Sequence, residues 1–197
     1  MTQTIRILGI DPALRNTGLA IADYDIATGA LQVKRVEIAQ TAKSKDKIVR
    51  RSSDDLASAK ILLDEINRVI GVYRPTFAVA EVPSGCQSAR GSFSNGVCCG
   101  LLAAVSVPLI EVNQTEVKLA SVGDKKATKD QIIQWAVGKW PNAGWLTRKF
   151  KGEVVLLNDN EHMADACAAI AAGLLTVQFA QSVAMLNSLR SAALEAH

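Results

Sequence analysis

Two short apolar segments, each ending in a carboxylate, constrain the fold of this chain more than any other feature. Residues 5–10 lead into Asp11, and residues 76–80 lead into Glu81. Apolar runs of this length, bounded by turn residues, are typical of buried strands. The carboxyl ends of parallel strands meet at one edge of a sheet. If these two strands are adjacent and parallel, Asp11 and Glu81 lie side by side.

The order of predicted elements indicates an α/β fold. Short turns join three N-terminal strands, and Ser52 or Ser53 then caps a helix that Pro75 stops. Further strands alternate with helices, and Thr128 begins a capping box. We expect a mixed five-stranded sheet, with three antiparallel N-terminal strands, two parallel strands and strand 1 in the centre. The predicted strands are 4–11, 17–25, 31–38, 76–82 and 108–112. Residues 141–157 are predicted to be irregular, and a last long helix is predicted to start after a cap at Asn158 or Asp159. Residues 181–197 are predicted to form a helical tail.

A third acidic site lies far along the chain, near the start of an alanine-rich helical stretch. His162 and Asp165 are three residues apart and therefore project from the same helix face. With Asp11 and Glu81 they would form a pocket for hard divalent cations. Two metal ions about 3.5–4 Å apart in such a pocket can hydrolyse a phosphodiester. Glu161 is an alternative ligand.

Each of these residues also has a purely structural interpretation. Asp11 precedes Pro12 and could only start a turn, Glu81 or Asp165 could pair with a cation, and His162 could be exposed in a first helical turn. Their occurrence together is what favours a metal site.

The charge of the chain is modest but unevenly placed. The formal net charge is only +3. Basic rims around an acidic pocket suit a polyanion, although any one cluster could be a solvated face. The clusters are Lys34, Arg35, Lys43, Lys45, Lys47, Arg50 and Arg51, then Lys118, Lys125, Lys126 and Lys129, then Arg148, Lys149 and Lys151.

Other candidate DNA contacts lie outside the second cluster. The Gly/Ser-rich loop 83–96 carries Gln87 and Arg90, and its glycines would let the backbone approach DNA closely. It could equally be a flexible surface loop. Trp145 and Phe150 are candidates for base stacking, while Trp135 and Trp140 fit the core face of a helix. If the polyanion is DNA, the expected contacts are Arg15, Gln87, Arg90, Lys118, Lys125, Lys126 and Lys129.

Four segments together resemble the RuvC-type Holliday junction resolvases of the RNase H-like (retroviral integrase) superfamily. Ile7-Leu8-Gly9-Ile10-Asp11-Pro12 with Thr17-Gly18 resembles that family's opening strand and turn, and Ala80-Glu81 its central-strand glutamate. Residues 116–131 resemble a segment with lysines implicated in DNA contact and catalysis. His162-Met163-Ala164-Asp165 matches two metal-binding positions three apart, the first of which is Asp in many members and His in some.

The resemblance implies an RNase H-like fold and a homodimeric crossover junction endodeoxyribonuclease that depends on Mg²⁺ or Mn²⁺, with two ions per active site. Metal-activated water would cut a four-way DNA junction by paired symmetric nicks, leaving 5′-phosphate and 3′-hydroxyl ends. Branch-migration machinery would be a further partner. The resemblance fits both a bacterial and a phage-type member of the family. Residues 1–176 would form the nuclease domain and 177–197 a helical tail. The implied metal ligands are Asp11, Glu81, His162 and Asp165, and the implied catalytic lysines are Lys118 and Lys129.

Other functions compete with this interpretation. Family members often carry an aromatic residue shortly after the central-strand glutamate, whereas Val82-Pro83-Ser84-Gly85 follows here. A broader branched-DNA debranching nuclease is therefore an alternative. A catalytically silent DNA-binding domain would lack a pocket carboxylate. A nucleotide-binding protein of the actin, Hsp70 and sugar-kinase type would need a second similar half, for which 197 residues leave no room.

Cysteine spacing and hydropathy bear on location. The four cysteines have no metal-like spacing and fit reduced thiols. No signal peptide precedes the first strand, and residues 164–180 are too short an apolar stretch for a membrane span. We expect no membrane association and a cytoplasmic, nucleoid-associated protein in a bacterial or phage-infected cell.

Overall fold

A computed structural model of the chain describes residues 4–46 and 48–195, with side chains up to residue 189. Three parts of the sequence predictions lie outside the described residues: Lys47 of the first basic cluster, residues 1–3 of the predicted nuclease domain and residues 196–197 of the predicted tail. The elements are β1 (Thr4–Asp11), β2 (Asn16–Asp25), β3 (Leu31–Gln40), α1 (Arg51–Tyr73), β4 (Phe77–Glu81), α2 (Ala89–Ala103), β5 (Leu109–Val112), α3 (Gln114–Ser121), α4 (Lys129–Lys139), β6 (Thr147–Phe150), β7 (Glu153–Leu156), α5 (Asn160–Gly173) and α6 (Val177–Glu195).

The main sheet has the strand order β3-β2-β1-β4-β5. Strands β1, β2 and β3 are antiparallel, whereas β4 and β5 run parallel to β1 and to each other. The predicted mixed sheet with a central first strand is confirmed. Ile10 is paired with Ala80, so Asp11 and Glu81 are the next residues at the same edge.

Helices cover both faces of this sheet. Alternate residues of β1 point to opposite sides, so that Ile5 and Ile7 pack under α5 while Leu8 and Ile10 pack against α1 and α2. Helix α5 is the central helix of the first layer, and ten of its residues are buried. A helix so deeply packed holds its side chains in fixed positions relative to the strand ends.

Two glycines allow α5 to approach the sheet at backbone contact distance. A Cβ at Gly18 would lie 1.9 Å from the carbonyl oxygen of His162, and one at Gly9 would lie 2.2 Å from that of Ala166. Gly18 is also the partner of Asp11 in the β1–β2 register. The absence of two side chains therefore brings the first turn of α5 directly beside the end of β1.

The predicted element order was incomplete in two places. Helix α3 was not predicted, although Asn113 and Glu116 form a capping box at its start. Residues 141–157 were predicted to be irregular, and this is wrong: β6 and β7 form an antiparallel hairpin there. Its strands have only four residues each and a run of basic side chains, so they lack the apolar alternation that marks a strand.

Several helix ends also differ from the prediction. Helix α1 follows Arg50 rather than a serine cap, and Asp159 occupies the N-cap position of α5 without a side-chain capping hydrogen bond. Helix α6 already begins at Val177. Near its start, Phe179 is buried and packs edge-on against Tyr24 and Phe77, so the tail is tied to the sheet where it begins.

No single helix within the described ranges is long and apolar enough to cross a membrane. Helix α5 and the first part of α6 reach that length and composition only when taken together, and a 68° bend separates them.

Candidate active site

All six residues predicted to be catalytic line one cavity of about 250 Å³. Strand ends β1 and β4 supply Asp11 and Glu81, and the first two turns of α5 supply His162 and Asp165. Lys118 comes from α3 and Lys129 from the start of α4. Five elements therefore meet at the carboxyl edge of the sheet, where the strand order predicted that Asp11 and Glu81 would lie side by side.

Asp11 and His162 are in direct contact within this cavity. The Nδ1–H group of His162 is positioned to donate to Oδ2 of Asp11 at 2.8 Å, and both side chains are less than one-fifth exposed. The other ring nitrogen, Nε2, lies 3.7 Å from Oε1 of Glu161. Burial alone would lower the pKa of His162, but the hydrogen bond and charge of Asp11, with Glu161 and Asp165, outweigh burial and raise it.

The two remaining carboxyl groups are short of positive partners. Burial raises the pKa of Glu81 to about 7, the charge of Asp11 adds to the rise, and Lys118 opposes it. Burial likewise raises the pKa of Asp165 to about 7, with further contributions from Asp11 and Glu81. Carboxyl groups held together in a half-buried cavity favour protonation unless a cation enters.

Lysine side chains border the acidic cluster without neutralising it. The Nζ of Lys129 lies 2.7 Å from Oε1 of Glu161, and this hydrogen bond raises the pKa of Lys129. The Lys129 side chain is still 70% exposed, which leaves most of its charge available to a phosphate. Lys118 is half-buried and also lines the cavity.

The donor set fits a hard divalent cation. Three carboxylates and one imidazole suit Mg²⁺ or Mn²⁺, and a cation would offset the repulsion that raises the pKa values of Glu81 and Asp165. Among residues 4–46 and 48–195, no three His, Cys, Asp or Glu side chains already stand close enough to share one ion. The residues are thus donors around one cavity rather than a closed cage.

Two residues predicted to contact DNA are paired with a buried carboxylate. Asp55 of α1 is only 1% exposed. It accepts from Arg15, in the turn after β1, at 3.2 Å, and from both terminal nitrogens of Arg90, at the start of α2. Asp54 also accepts from Arg15 at 2.7 Å. Arg15 and Arg90 thereby connect α1 to the segments that follow Asp11 and Glu81.

The other expected DNA contacts are exposed and lie outside the cavity wall. Gln87 is in the loop before α2, and Lys125 and Lys126 are in the turn between α3 and α4. Trp145 is half-buried and donates its indole N–H to the carbonyl oxygen of Trp140 at 2.8 Å. Trp140 is buried and Trp135 packs edge-on against it, as expected for a core face.

Sequence reasoning missed three residues that shape the site. Gln114 lines the cavity from the first turn of α3, and the capping residues Asn113 and Glu116 were a signal that could have located it. Asp55 and Asn160, both buried polar residues, carry no such signal because their partners are distant in sequence or are backbone atoms.

No family model matches the chain, but it is similar to characterised proteins along most of its length. It is 32% identical over 139 residues to crossover junction endodeoxyribonuclease RuvC of Chromobacterium violaceum, covering 64% of this chain and 69% of the relative. It is 34% identical over 140 residues to the RuvC of Ralstonia pickettii, covering 68% of this chain and 70% of the relative.

Solved structures share the fold at lower sequence identity. T. thermophilus RuvC in complex with a Holliday junction substrate superposes with a TM-score of 0.61 and 16% identity, over 85% of this chain and 92% of that one. The yeast mitochondrial Holliday junction resolvase Ydc2 gives a TM-score of 0.54 and 16% identity, over 88% of this chain and 78% of that one. The RNase H-like fold predicted from the sequence is confirmed.

Proposed function

This chain belongs to the RuvC family of crossover junction endodeoxyribonucleases, and we propose that it resolves Holliday junctions by hydrolysing phosphodiester bonds in paired, symmetric nicks. The family resemblance predicted from the sequence is confirmed by these relatives. Enzymes of this type are metal-dependent nucleases.

One observation carries the proposal at the level of residues. Asp11, Glu81, His162 and Asp165, which are up to 154 residues apart, line a single cavity together with Lys118 and Lys129. An acidic cluster would repel a DNA phosphate unless cations were bound in it. Lysines on the rim would attract the same phosphate. The combination suits hydrolysis of a nucleic-acid backbone and fits poorly with binding of a neutral small molecule.

We assign the metal to Mg²⁺ or Mn²⁺, two ions per site, held by Asp11, Glu81, His162 and Asp165, with Glu161 as a further oxygen donor. The ions would activate water as the nucleophile and stabilise the leaving oxygen. The residues must first lose protons: Glu81 and Asp165 bind a cation only as carboxylates, and His162 only as the neutral imidazole.

The two cavity lysines act on the phosphate in this proposal. Lys118 lines the cavity from α3, and Lys129 from the start of α4. Fixed positive charge where negative charge develops stabilises the transition state. Breaking the Lys129–Glu161 ion pair would free the ammonium group for the phosphate and the carboxylate for a cation.

The DNA partner and the assembly follow from the kind of cut. One chain carries one such cavity among its described residues, whereas two symmetric nicks on a four-way junction need two cavities. A twofold homodimer supplies them. We propose residues 1–176 as the nuclease domain and 177–197 as a helical tail, action in the cytoplasm at the nucleoid, and branch-migration machinery as a further partner.

The test is cleavage of an end-labelled synthetic four-way junction beside a Y-fork and a linear duplex, in Mg²⁺ or Mn²⁺. Paired symmetric nicks confined to the junction support the proposal. Cutting of forks and flaps as well would assign the broader debranching activity. Junction binding without cutting in either metal would assign a silent DNA-binding domain instead.

A further inference from the structure

The β6–β7 hairpin, residues 147–156, is an exposed element that the candidate active site does not use. Its register runs from Thr147 opposite Leu156 to Phe150 opposite Glu153. Lys151 and Gly152 form a two-residue turn with positive φ values of 50° and 87°, as hairpins of this length require. We call these ten residues the basic hairpin.

Three cations and one aromatic ring dominate the basic hairpin. Every residue of β6 is exposed, and Phe150 is 52% exposed. The guanidinium of Arg148 lies 5.4 Å, and the ammonium of Lys151 5.5 Å, from the centroid of the Phe150 ring. The ring therefore holds two cations together at the surface. Within the described part of the chain, neither these two residues nor Lys149 makes an ion pair.

The turn places a lysine where the backbone disfavours one. Lys151 and Arg74 are the non-glycine residues with positive φ among those described. Residues other than glycine seldom adopt a left-handed conformation, because their Cβ crowds the following carbonyl oxygen. A cationic tip is thus present despite a local conformational cost, which is typical of positions that serve binding.

The base of the hairpin is fixed to the helix that carries the candidate metal ligands. Asn160 is fully buried in the first turn of α5. Its side-chain oxygen accepts from the Leu146 N–H at 2.8 Å, and its amide donates to the carbonyl oxygens of Leu146 at 2.8 Å and Leu157 at 2.9 Å. His162 follows two residues later. The hairpin cannot turn independently of the cavity while these three hydrogen bonds hold.

The length of the hairpin sets its reach. Four residues of a strand extend about 13 Å, which corresponds to about four base pairs along a duplex. Residues 154–158 line a pocket together with Asp130, Ile133 and Gln134 of α4, the helix that begins at Lys129. DNA held at the cavity would therefore extend past an element of this length. Cations not engaged by protein carboxylates are available to that backbone.

We propose that the basic hairpin is a second DNA-binding site, which grips the phosphate backbone of the duplex arm flanking the cut through Arg148, Lys149 and Lys151. Phe150 holds Arg148 and Lys151 together, and the binding is independent of base sequence because phosphate contacts carry no sequence information. The inference rests on the proposed function, because it takes the cavity as the place of cutting.

The salt dependence of DNA binding tests this site. Binding of a fluorescent four-way junction is measured in EDTA, which prevents cutting, from about 50 to about 200 mM salt. Each lost phosphate contact should make the slope of log K against log[salt] about 0.9 less steep. The triple variant Arg148→Ala/Lys149→Ala/Lys151→Ala should therefore lose up to about 2.7 in slope and bind about tenfold or more weakly at low salt.

Two controls separate position from charge. Lys60→Ala removes one exposed cation from α1, on the other face of the sheet, and should leave the slope unchanged. Lys149→Ala alone should make the slope less steep by about 0.9. The charge-preserving variant Arg148→Lys/Lys149→Arg/Lys151→Arg should keep the wild-type slope. A triple alanine variant with the wild-type slope overturns the proposal.

Cleavage keeps this result distinct from the proposed function. Cleavage of the junction by the wild-type protein tests the proposed function, whereas the salt slopes of the hairpin variants in EDTA test this site. A wild-type protein that binds junctions but never cuts them contradicts the proposed function, while the salt slopes still decide whether the hairpin binds DNA.

Discussion

Oδ2 of Asp11 and Nδ1 of His162 lie 2.8 Å apart, although 151 residues separate them in the chain. The contact exists because Gly18, opposite Asp11 in the sheet, leaves room for the backbone of His162. A carboxylate bonded to one ring nitrogen fixes the imidazole and leaves the other nitrogen to bind a metal. The position of α5 on the sheet thus determines the geometry of the candidate site.

Asp11→Asn should remove cutting and spare junction binding. The amide keeps the size of the side chain but cannot supply the negative charge that a divalent cation needs. We expect the cleavage rate to fall by at least about 100-fold, with junction affinity in EDTA equal to or above that of the wild type. Asp64→Asn, an exposed α1 substitution, is the matched control. Cutting that survives in pure Asp11→Asn protein contradicts the metal assignment.

His162 should make the nuclease tolerant of Mn²⁺. Imidazole suits manganese better than magnesium, whereas a carboxylate suits both. Wild-type cleavage should be at least as fast in Mn²⁺ as in Mg²⁺, and His162→Asp should shift the preference towards Mg²⁺. The rates are compared at matched metal concentrations. Wild-type activity confined to Mg²⁺ would argue that His162 does not bind the ion.

Glu81→Gln should stabilise the metal-free protein at alkaline pH. The pKa of Glu81 is about 7 in the fold and about 4.3 in an unfolded chain. Between these values the folded state holds more protons, so the free energy of unfolding falls as pH rises. Removing the charge should raise the free energy of unfolding by about 1–2 kcal/mol at pH 8. This is less than the full pKa shift implies, because the cavity is open to solvent.

Urea unfolding in EDTA at about pH 4 and about pH 8 measures this effect. At the lower pH Glu81 of the wild type is largely protonated and is uncharged, like the glutamine of the variant, so the difference in unfolding free energy should disappear. Saturating Mn²⁺ should stabilise the wild type more than the variant at pH 8, since the cation binds the carboxylate. A variant less stable than the wild type at alkaline pH in EDTA would refute the repulsion argument.

The sequence predicted that the four candidate metal ligands lie together because they stand at the ends of apolar strands and on one helix face. The strand order places Asp11 beside Glu81, whereas His162 and Asp165 reach them because α5 packs closely on the sheet at Gly9 and Gly18. Helix α3 was missed although Asn113 and Glu116 mark its start, because residues 116–131 were interpreted as a motif rather than as elements.

Long-range polar contacts could not be predicted in the same way. The hydrogen bond between Arg15 and Asp55 spans 40 residues, and those between Arg90 and Asp55 span 35, with no periodicity to indicate either. Basic residues in those positions were therefore predicted to bind DNA. DNA contact by Arg15 and Arg90 stays a prediction, and in the structure both arginines pair with Asp55.

Gly18→Ala should displace α5 and impair cutting. The added Cβ would lie 1.9 Å from the carbonyl oxygen of His162, so backbone must move, at a cost of about 1–3 kcal/mol. Gly71→Ala is the matched control: Gly71 lies in α1 with nothing within 4 Å of an added Cβ, and the change should stabilise by about 0.5–1 kcal/mol. Thermal unfolding and junction cleavage are measured for both. Full activity and stability in Gly18→Ala would contradict the close packing.

Asp55→Ala should destabilise the fold more than the loss of any surface ion pair. Asp55 is 1% exposed, and it accepts from Arg15 at 3.2 Å and from Arg90 at 2.6 Å. Its removal leaves two partly buried guanidinium groups without their partner, at a cost of about 2–3 kcal/mol. Glu65→Ala breaks the exposed pair with Arg68 and should cost less than about 1 kcal/mol. Equal losses for the two variants would show that Asp55 is not a structural anchor.

The contribution of Asp55 to the stability of the fold should depend on pH in the acid range. The hydrogen bond from Arg90 lowers the pKa of Asp55 in the fold, in spite of burial, which opposes it. A carboxyl with a lowered pKa stabilises the fold fully above its unfolded pKa of about 3.9, and this contribution is lost as pH falls through the folded value. The difference in unfolding free energy between wild type and Asp55→Ala should therefore be largest near neutral pH, and it should shrink as the pH falls below about 4. Because Arg15 follows Asp11 and Arg90 follows Glu81, the same variant should lower the cleavage rate in step with the loosening of both segments. A gap that is constant from pH 7 to pH 3 would contradict the ion-pair account.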